Sequence, residues 1–373
     1  MGRGTRPWAI IAGGGTGGHV TPAIAIARAL VARGHPADTI HFVGSRRGIE
    51  ARMVPDAGFA VTLLPGRGIQ RRLALDNLGA VVGLLVALVR AFVLVARRRP
   101  RVIVSVGGYA SAPCSIAAVL LRVPLVLAEQ NAVPGAAHRL VARFARAAAV
   151  TFEGTPLPRA VVTGNPVRPE ILAVDRERGR HAARAELGLP ADRQVLLTIG
   201  GSLGARHINV AVLGAVRRWA TRRDLAVRQV VGRRDWELVD GDRPRLPADG
   251  LVWHPVPFED RVDLALAATD LVVCRAGAST VAEVTAVGVP AVFVPFPGAA
   301  EDHQTANARA VVDAGGGVLL PDAECTAERL AAEVEALLAD PGRLALMGKA
   351  AHALARPDAA ERVATLVEGA AAS

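Results

Sequence analysis

The stretch Gly13-Gly14-Gly15-Thr16-Gly17-Gly18-His19 lies between an apolar segment typical of a strand and a pattern typical of a helix. Glycines at such a junction let backbone N–H groups approach an anion, and the helix dipole adds partial positive charge. His19 stands at the mouth of this loop, and an imidazole ordinarily titrates near neutrality. It is therefore a candidate general base, with a capping or positioning histidine as the alternative.

The same loop also satisfies the GxGxxG pattern of dinucleotide-binding domains, beginning at Gly13. The acidic residue expected after the second strand is missing, because Asp38 precedes that strand and Arg46 and Arg47 follow it. Two arginines at this place suit a 2′-phosphate, so an NADP-dependent oxidoreductase remains an alternative interpretation.

A second and sharper pattern runs from Cys274 to Glu283, where a strand is followed by glycine, serine and threonine at a helix start. This geometry offers a diphosphate both N–H donors and a helix dipole. Glu283 falls about one turn into the helix, where its carboxylate can accept both hydroxyls of a ribose. The alternative is a capping box formed by Thr280 and Glu283, which have the spacing of a common helix start.

Two polar segments, Gly107–Ser111 and Ala128–Asn131, follow strands predicted in the first half of the chain. Their polar groups are expected at the same edge of the sheet as His19. Buried strand ends rarely carry Glu-Gln-Asn without partners, because each unpaired buried polar group costs about 1–3 kcal/mol. The two segments are therefore candidates for the same site.

Metal binding is not expected from the sequence. Asp240-Gly241-Asp242 has the form of a DxD metal motif, but Asp-Gly is an ordinary turn signal and we interpret it as a plain turn. The three cysteines, Cys114, Cys274 and Cys325, are far apart, and neither a CxxC motif nor a histidine pair stands near them. They are predicted to be buried thiols of a reducing compartment.

Short apolar runs that predict strands alternate with helical patterns along the chain, which argues for parallel sheets covered on both faces. The clearest helix is predicted over Thr21–Arg33, with Thr21 as its cap and Gly34 at its end. The predicted strands are Trp8–Ala12, Ile40–Val43, Val102–Val106, Leu125–Leu127, Ala160–Thr163, Val195–Ile199, Val227–Val231, Leu251–Trp253, Leu271–Cys274, Ala291–Val294 and Val318–Leu320.

The alternating pattern restarts after Gly164–Arg168, and a charged helix predicted over Asp175–Leu187 follows this break. We therefore predict an α/β protein with two doubly wound domains, and an Ala-rich helical C-terminus of roughly 45 residues. Ligands of such folds bind at the carboxyl ends of the strands, here expected in the cleft between the two halves.

The chain has 373 residues and a formal net charge of +10, and Lys349 is its only lysine. A basic surface favours anionic partners such as phosphates, nucleic acid or an anionic membrane. Aromatic residues make up only 3% of the chain, which is few for a protein that stacks bases on aromatic side chains. Nucleic acid is therefore not an expected partner.

The most apolar segment, Leu73–Ala96, contains the uninterrupted run Leu78–Val89, which is too short to span a bilayer. Its length suits a core helix or a helix lying at a membrane interface. Arginines flank the segment on both sides, at Arg71, Arg72, Arg97, Arg98 and Arg99. An arginine near anionic lipid contributes about 1 kcal/mol, so interfacial binding stands beside the buried-helix alternative.

Seven of these motifs occur in one order and spacing, and together they resemble the MurG-type N-acetylglucosaminyltransferases of bacterial peptidoglycan synthesis. The resemblance covers nearly the whole chain, from the first strand to about Leu320. The motifs are Gly13–His19, Gly107–Ser111, Glu129–Asn131, Gly164–Arg168, Gly200–Ala205, Cys274–Glu283 and His303-Gln304 with Asn307.

This resemblance implies the GT-B glycosyltransferase fold, in which two Rossmann-like domains face each other across a cleft. It implies an N-terminal acceptor and membrane-binding domain over 1–166 and a UDP-GlcNAc-binding domain over 167–350. A C-terminal helix within 351–373 is expected to pack back on the first domain. The implied reaction moves GlcNAc with inversion from UDP-GlcNAc to lipid I, giving lipid II and UDP, without a metal or other cofactor.

The resemblance also implies roles for individual residues. His19 matches the base for the acceptor hydroxyl. In the mechanism that follows chemically from this match, Glu129 is expected to orient or share that proton. Thr16, Gly17 and Gly18 match the donor-sugar and catalytic centre, and Asn131 matches a contact to the donor GlcNAc. The other matched substrate-binding positions are Tyr109, Arg168 and Ser202 (the last two on the UDP side), Ala278, Ser279 and Thr280 in the nucleotide loop, Glu283 at the ribose, and Gln304 with Asn307 nearby.

Two positions depart from the family pattern. Ala128 stands where many members have histidine before Glu-Gln-Asn, and Leu203 replaces a frequent glutamine in the second glycine loop. The family resemblance implies a peripheral protein at the cytoplasmic face of the bacterial cell membrane, bound through Leu73–Arg99, with a role in cell-wall biogenesis, cell shape and division. Alternatives are another UDP-sugar:glycolipid transferase and a noncatalytic protein that binds lipid surfaces.

Overall fold

The computed structural model describes residues 6–46, 48–65, 76–201 and 205–372, with the backbone alone for 76–81. The chain forms two compact units. Unit 1 comprises Met1–Arg168 together with Arg356–Ser373, and unit 2 comprises Pro169–Ala355. The chain thus leaves unit 1 once and returns to it at its C-terminal end.

Unit 1 is built on a parallel sheet whose strands lie in the order β3-β2-β1-β4-β5-β6-β7. The first strand is central, since Ala9 pairs with Ile40 on one side and with Val102 on the other. The strands are β1 (Ala9–Ala12), β2 (Ile40–Ser45), β3 (Ala60–Leu64), β4 (Val102–Ser105), β5 (Leu125–Glu129), β6 (Ala147–Val150) and β7 (Ala160–Val162). Residues of β1, β4 and β5 are buried throughout, as expected for a parallel sheet with both faces covered.

Helices cover both faces of this sheet. They are α1 (Gly17–Ala32), α2 (Glu50–Asp56), α3 (Asp76–Arg98), α4 (Ser111–Leu120) and α5 (Ala136–Val141). Helix α1 begins about one turn before the predicted Thr21, because the amides of His19 and Val20 already bond to Thr16 O. The prediction of Thr21 as the cap was therefore wrong, and Thr16 occupies that position.

Helix α3 is the apolar segment that the sequence singled out. Ala87, Ala91 and Val95 form its buried side, which packs into the same core as α4. Leu73 and the two arginines before it lie outside the described residues. Within the described part of the chain, no helix combines the length and apolar character needed to cross a membrane.

Unit 2 contains a second parallel sheet, with the strand order β10-β9-β8-β11-β12-β13. Its strands are β8 (Gln194–Ile199), β9 (Leu225–Val230), β10 (Val252–Val256), β11 (Leu271–Cys274), β12 (Ala291–Phe293) and β13 (Gly317–Leu319). Its helices are α6 (Pro169–Leu172), α7 (Arg176–Glu186), α8 (Arg206–Arg218), α9 (Trp236–Asp240), α10 (Val262–Ala268), α11 (Ala278–Val287), α12 (His303–Val312), α13 (Ala327–Leu338) and α14 (Pro341–Ala353).

The last helix, α15 (Ala359–Ala372), packs on the sheet and on α1 of unit 1. Val363 and Val367 enter the core that Ile26 and Leu30 of α1 also line. At the surface, Glu368 accepts hydrogen bonds from Arg33 and lies 3.0 Å from His35 Nε2. Apolar burial supplies most of this attachment, because exposed ion pairs contribute little.

Each sheet reverses its direction of winding at one place, between β1 and β4 in unit 1 and between β8 and β11 in unit 2. The loops after two such neighbouring strands turn to opposite faces and open a crevice at the carboxyl ends of the strands. In unit 1 these loops are Gly13–Thr16 and Val106–Ala110. In unit 2 the loop after β11 is Arg275–Gly277, and the loop after β8 falls partly outside the described residues.

Candidate functional site

The two glycine loops of unit 1 interlock at the point where the sheet reverses. Gly14 N donates to Gly107 O over 3.2 Å, and Gly13, Gly14 and Gly107 all have positive φ. A Cβ on Gly13 would overlap Gly107 O, and one on Gly108 would overlap Gly14 O. Only glycine therefore permits the close approach that brings the loops after β1 and β4 to the same crevice.

A buried carboxylate supports the first of these loops. Glu50, at the start of α2, is 2% exposed and accepts hydrogen bonds from Gly15 N at 2.8 Å and Ser45 N at 2.6 Å. Since Gly13 N bonds to Val43 O and Gly14 N bonds to Gly107 O, the amides of Gly13 to Gly15 all have protein partners. These three amides therefore form internal hydrogen bonds, and the dinucleotide interpretation loses them as phosphate donors.

His19 lies in the first turn of α1 with its ring over the second glycine loop. Its Nδ1 is 3.2 Å from Thr16 Oγ1, and a Cβ on Gly107 would lie 2.9 Å from both Cδ2 and Nε2 of the ring. If Nδ1 carries the proton and donates to Thr16, Nε2 is the basic nitrogen. The ring is half-buried, so it combines a fixed position with access to the crevice.

Glu129, the last residue of β5, holds the turn that follows it. Its Oε1 accepts from Asn131 N at 3.0 Å and Asn131 Nδ2 at 3.3 Å, and its Oε2 accepts from Gly135 N at 3.0 Å. His138 Nδ1 lies 2.8 Å from the same Oε2. Burial opposes the charge, but the hydrogen bonds and charge of His138 and the amides of Asn131 and Gly135 outweigh it and hold the pKa of Glu129 at about 2.

His19, Glu129 and Asn131 line one pocket of about 230 Å³ in unit 1. The rest of its wall comes from Gly107, Gly108 and the first turn of α5, which includes His138. Thr16 joins the pocket residues through His19. The structure thus brings together residues of three segments that the sequence placed after three different strands.

Tyr109 lies beside this pocket, at the entrance to α4. Its hydroxyl donates to Pro65 O at 3.1 Å, and burial raises the pKa of the phenol above its usual range. The neighbouring Ser111 is fully buried and donates to Gly108 O at 2.8 Å. Tyr109 and Ser111 therefore tie the second glycine loop to the surrounding chain.

In unit 2, helix α11 begins directly after the predicted nucleotide loop. Gly277 is its N-cap residue, and Ala278, Ser279 and Thr280 form the first turn. Thr280 therefore lies inside the helix, and the capping-box interpretation of Thr280 with Glu283 was wrong. Glu283 is half-buried about one turn further along the helix.

Two side chains from α12 hold that loop in place. Gln304 Oε1 accepts from Ala276 N at 3.2 Å and from Phe296 N at 3.0 Å. Asn307 Nδ2 donates to Ala276 O at 3.1 Å, and Asn307 is 0% exposed. Asn307 therefore lies beneath the loop as a support. The side chain of Gln304 is partly exposed.

Arg275 adds a further support on the other side of the same loop. The guanidinium is 9% exposed, donates to Val294 O and Pro295 O at 3.1 Å, and pairs with Asp322. Asp322 also lies 2.8 Å from His207 Nδ1 on the first turn of α8. The loop after β11 is thus anchored to the segments that follow β12 and β13.

The remaining predicted positions are Arg168, Ser202, Leu203 and the segment Asp240-Gly241-Asp242. Arg168 is half-buried at the end of unit 1, and Ser202 and Leu203 fall outside the described residues. Asp240 ends α9 and pairs with Arg243, and Asp242 pairs with Arg217. This agrees with the predicted turn, in which both carboxylates have arginine partners.

The cysteines are buried as predicted, and burial raises the pKa of Cys114 and Cys274 to about 12 and that of Cys325 to about 11. Among the described residues, no group of three or more His, Cys, Asp and Glu side chains is arranged to hold a metal ion.

Sequence reasoning missed three residues of unit 1, Glu50, His138 and Ser105. Ser105 lies behind His138, with its Oγ 3.1 Å from His138 Nε2. Glu50 carried a weak signal, since it follows the end of β2 as the polar segments follow other strands. His138 carried none, because it stands among apolar residues and meets Glu129 only through the fold of the chain.

The two sheets, their reversal points and the glycine loops define a two-domain, Rossmann-like glycosyltransferase fold of the GT-B type. Residues 9–150 match the glycosyltransferase family 28 N-terminal domain, and residues 195–363 match the glycosyltransferase family 28 C-terminal domain.

Relatives that match over nearly their full length identify a more specific family within this fold class. A Clavibacter sepedonicus protein named UDP-N-acetylglucosamine--N-acetylmuramyl-(pentapeptide) pyrophosphoryl-undecaprenol N-acetylglucosamine transferase is 45% identical over 98% of this chain and 96% of its own length. A Nocardioides protein of the same name is 44% identical, with 96% of each chain covered. The crystal structure of Acinetobacter baumannii MurG matches with a TM-score of 0.77 and 29% identity, covering 97% of this chain and 99% of that chain.

The chain belongs to glycosyltransferase family 28 and, within it, to the MurG-type N-acetylglucosaminyltransferases. The fold class and the family predicted from the sequence are therefore confirmed.

Proposed function

We propose that this enzyme transfers GlcNAc from UDP-GlcNAc to the 4-hydroxyl of the MurNAc residue of lipid I, undecaprenyl-diphosphoryl-MurNAc-pentapeptide. The products are UDP and lipid II, with a new β-1,4 bond and inversion at the anomeric carbon. The observation that carries the proposal is the unit 1 pocket, which both His19 and Asn131 line, in a chain that matches relatives named for this reaction over nearly their full length. The reaction belongs to peptidoglycan synthesis, and hence to cell-wall biogenesis, cell shape and division.

His19 acts as the base in this mechanism. Its Nδ1 lies 3.2 Å from Thr16 Oγ1, and we assign the ring proton to Nδ1, so that Nε2 accepts the proton of the acceptor hydroxyl. The hydroxyl oxygen attacks the anomeric carbon from the face opposite to the leaving group and forms the new C–O bond. The bond from that carbon to the diphosphate oxygen breaks at the same time, and its electron pair leaves with UDP.

Glu129 and Asn131 position the sugars in the same pocket. Because four donors surround the Glu129 carboxylate and its pKa is about 2, it accepts a proton poorly near neutral pH. It orients Asn131 instead, and Asn131 contacts the donor GlcNAc. Tyr109, Gly17 and Gly18 complete the binding surface on this unit.

Unit 2 binds the UDP part of the donor. The N-terminal turn of α11, with Ala278, Ser279 and Thr280, presents N–H groups and a helix dipole to the diphosphate. Glu283 accepts the two ribose hydroxyls, and Gln304 Nε2 donates to a hydroxyl of the donor sugar. Arg168 and Ser202 add contacts on the UDP side. Preorganised donors of this kind stabilise the charge that develops on the leaving diphosphate.

Unit 1 also carries the membrane contact. An apolar stripe along α3 faces outward, on the side opposite to Ala87, Ala91 and Val95. Its members are Val82, Leu85, Val86, Val89, Phe92 and Val93, and Leu120, Leu140 and Phe144 on α4, α5 and the turn after α5 are exposed as well. Exposed apolar groups clustered like this mark an interaction surface.

The charge around this apolar surface is positive. Arg97 and Arg99 follow the stripe, and Arg143 and Arg146 lie near Phe144, all with exposed side chains. We propose that the surface docks on anionic lipid at the cytoplasmic face of the cell membrane, where the polyprenyl chain of lipid I is anchored. Each arginine near such a surface adds about 1 kcal/mol.

The deciding experiment measures UDP release from UDP-GlcNAc with and without a lipid I analogue, in the presence of EDTA. Acceptor-dependent release is expected, and EDTA is expected to leave it unchanged. Release with a different glycolipid acceptor alone would point to another UDP-sugar transferase. Absence of release beside an active control enzyme would contradict the proposal.

A further inference from the structure

Three buried side chains of unit 1 lie in one hydrogen-bonded line. Ser105 Oγ is 3.1 Å from His138 Nε2, and His138 Nδ1 is 2.8 Å from Glu129 Oε2. Ser105 is 0% exposed, His138 is 1% exposed and Glu129 is 5% exposed. They come from the end of β4, the first turns of α5 and the end of β5, so only the folded sheet brings them together.

The protons along this line can be assigned from the carboxylate end. Glu129 is ionised and only accepts, so His138 Nδ1 carries the proton that faces it. On the other side of the ring, His138 Nε2 lies 3.1 Å from Ser105 Oγ, so the serine hydroxyl is its hydrogen-bond partner. Every group in the line has a partner, which is the condition under which a buried polar network makes a structure rigid.

The line has the residue types of a nucleophilic triad, but it does not have the access that a nucleophile needs. Ser105 has no exposed surface and is not among the residues that line the pocket. Only the histidine and the carboxylate reach the pocket wall. The hydrogen-bonded line therefore ends at Glu129, and it affects the pocket through the groups that Glu129 binds.

Glu129 holds the turn between β5 and α5. Its Oε1 binds the backbone and side-chain nitrogens of Asn131, and its Oε2 binds Gly135 N. Asn131 and Gly135 both line the pocket that contains His19. A shift of the carboxylate would therefore move Asn131 relative to His19.

We propose that His138 is a positioning residue, which fixes the Glu129 carboxylate and through it the place of Asn131 in the pocket that His19 also lines, with Ser105 holding the histidine ring. This inference rests on the proposed function, because it assigns a task to the same pocket. His138 does not touch the reacting atoms, and its effect reaches them through Glu129 and Asn131.

The test compares His138→Ala with His138→Asn. The asparagine Nδ2 stands near the place of the histidine Nδ1 and keeps a donor for Glu129, whereas alanine removes it. A hydrogen bond to a charged group is worth enough to change a rate about tenfold to hundredfold. We expect His138→Ala to lower acceptor-dependent kcat by that factor and His138→Asn to restore most of it.

Two further readouts separate positioning from a general loss of structure. UDP binding, which depends on unit 2, should stay within about twofold of wild type in both variants, with unchanged stoichiometry. Hydrogen exchange of the Asn131 and Gly135 amides, measured without substrate, should be faster in His138→Ala than in His138→Asn. Ser105→Ala should lower kcat by less than His138→Ala, beside a matched control, Ser115→Ala, whose buried hydroxyl has no hydrogen-bond partner.

Different results would contradict the positioning role, the proposed function and the part played by Ser105. Wild-type kcat in His138→Ala, or equal losses in the alanine and asparagine variants, would overturn the positioning role. A wild-type enzyme that exchanges the two amides slowly but releases no UDP with the lipid I analogue would leave the network intact and contradict the proposed function instead. Equal effects of Ser105→Ala and Ser115→Ala would remove Ser105 from the line.

Discussion

Gly15 N donates a 2.8 Å hydrogen bond to Glu50 Oε2, across 35 positions of sequence. The bond places a buried negative charge directly under the first glycine loop. A phosphate at the same amide would have to displace this carboxylate and would meet its charge. The first loop is therefore held in shape from inside the protein beside His19, whereas the proposed anion site is the helix start at Gly277 in unit 2.

Replacing Glu50 by glutamine should disturb this loop. The amide group of the new side chain turns an N–H toward Gly15 N or Ser45 N, so one buried donor loses its acceptor. We expect the free energy of unfolding to fall by about 1–3 kcal/mol and kcat/KM to fall about tenfold. Urea unfolding and UDP-release kinetics measure the two effects. Glu153→Gln, at an exposed position, is the control and should change neither.

Thr16 should set which nitrogen of His19 is basic. Thr16→Val removes the acceptor of the Nδ1–H, so the proton is no longer directed away from Nε2. We expect kcat to fall about tenfold while UDP binding stays unchanged. Thr16→Ser keeps the oxygen and should retain most of the activity. Equal losses in both variants would show that the hydroxyl does not orient the ring.

The Glu129 carboxylate should make stability depend on pH. Its folded pKa of about 2 lies below the ordinary value of 4.5, so its contribution is present above pH 4.5 and is lost as the pH falls toward 2. Above pH 4.5, the free energy of unfolding of wild type should therefore exceed that of Glu129→Gln by about 1–3 kcal/mol. This difference should disappear as the pH falls toward 2. Chemical unfolding at several pH values measures the difference. A constant difference between the two proteins would contradict the assignment.

Glu283 should discriminate between ribose and deoxyribose. A carboxylate that accepts both hydroxyls loses one hydrogen bond when the 2′-hydroxyl is absent, so wild type should bind UDP about tenfold more tightly than 2′-deoxy-UDP. In Glu283→Ala, UDP binding should weaken and the preference should disappear. Titration calorimetry measures both ligands. A preference that survives in the variant would place the ribose elsewhere.

The outward face of α3 should determine membrane binding. Val89 is 65% exposed and Leu85 is 57% exposed, and a glutamate at either position places negative charge against anionic lipid. The double variant Leu85→Glu, Val89→Glu should bind vesicles containing anionic lipid at least tenfold more weakly, with unchanged kcat on a water-soluble acceptor. Leu346→Glu, 70% exposed in unit 2, is the matched control and should bind as wild type does.

Local patterns predicted much of the fold. Apolar runs predicted β1, β2, β4, β5 and β7 and the six strands of unit 2 to within a few residues, and Asp175 caps α7 by accepting from Glu177 N and Arg178 N. These features depend on neighbours in sequence, since burial and capping act over a few residues. The order of the glycine loops and polar strand ends was sufficient to identify the family.

Two strands were missed because their local signals are weak. β6 consists of three alanines and a valine, a composition that favours helices, and β3 is an edge strand with most of its side chains partly or fully exposed. Pairing with β5 and β2 decides their conformation, because tertiary hydrogen bonds outweigh local propensity. The start of α1 was misplaced for a related reason, since helical glycines carry little sequence signal.

The types and order of the chemical groups are therefore properties of the sequence: His19 after a glycine loop, Glu129 and Asn131 after a strand, and Glu283 on a helix. Their partners are properties of the tertiary structure. Glu50 under Gly15, Ser105 behind His138 and Gln304 against Ala276 each join residues far apart in the chain. Such pairs leave no local pattern, because the energy that selects them comes from satisfying buried polar groups, and burial is defined only once the sheets have formed.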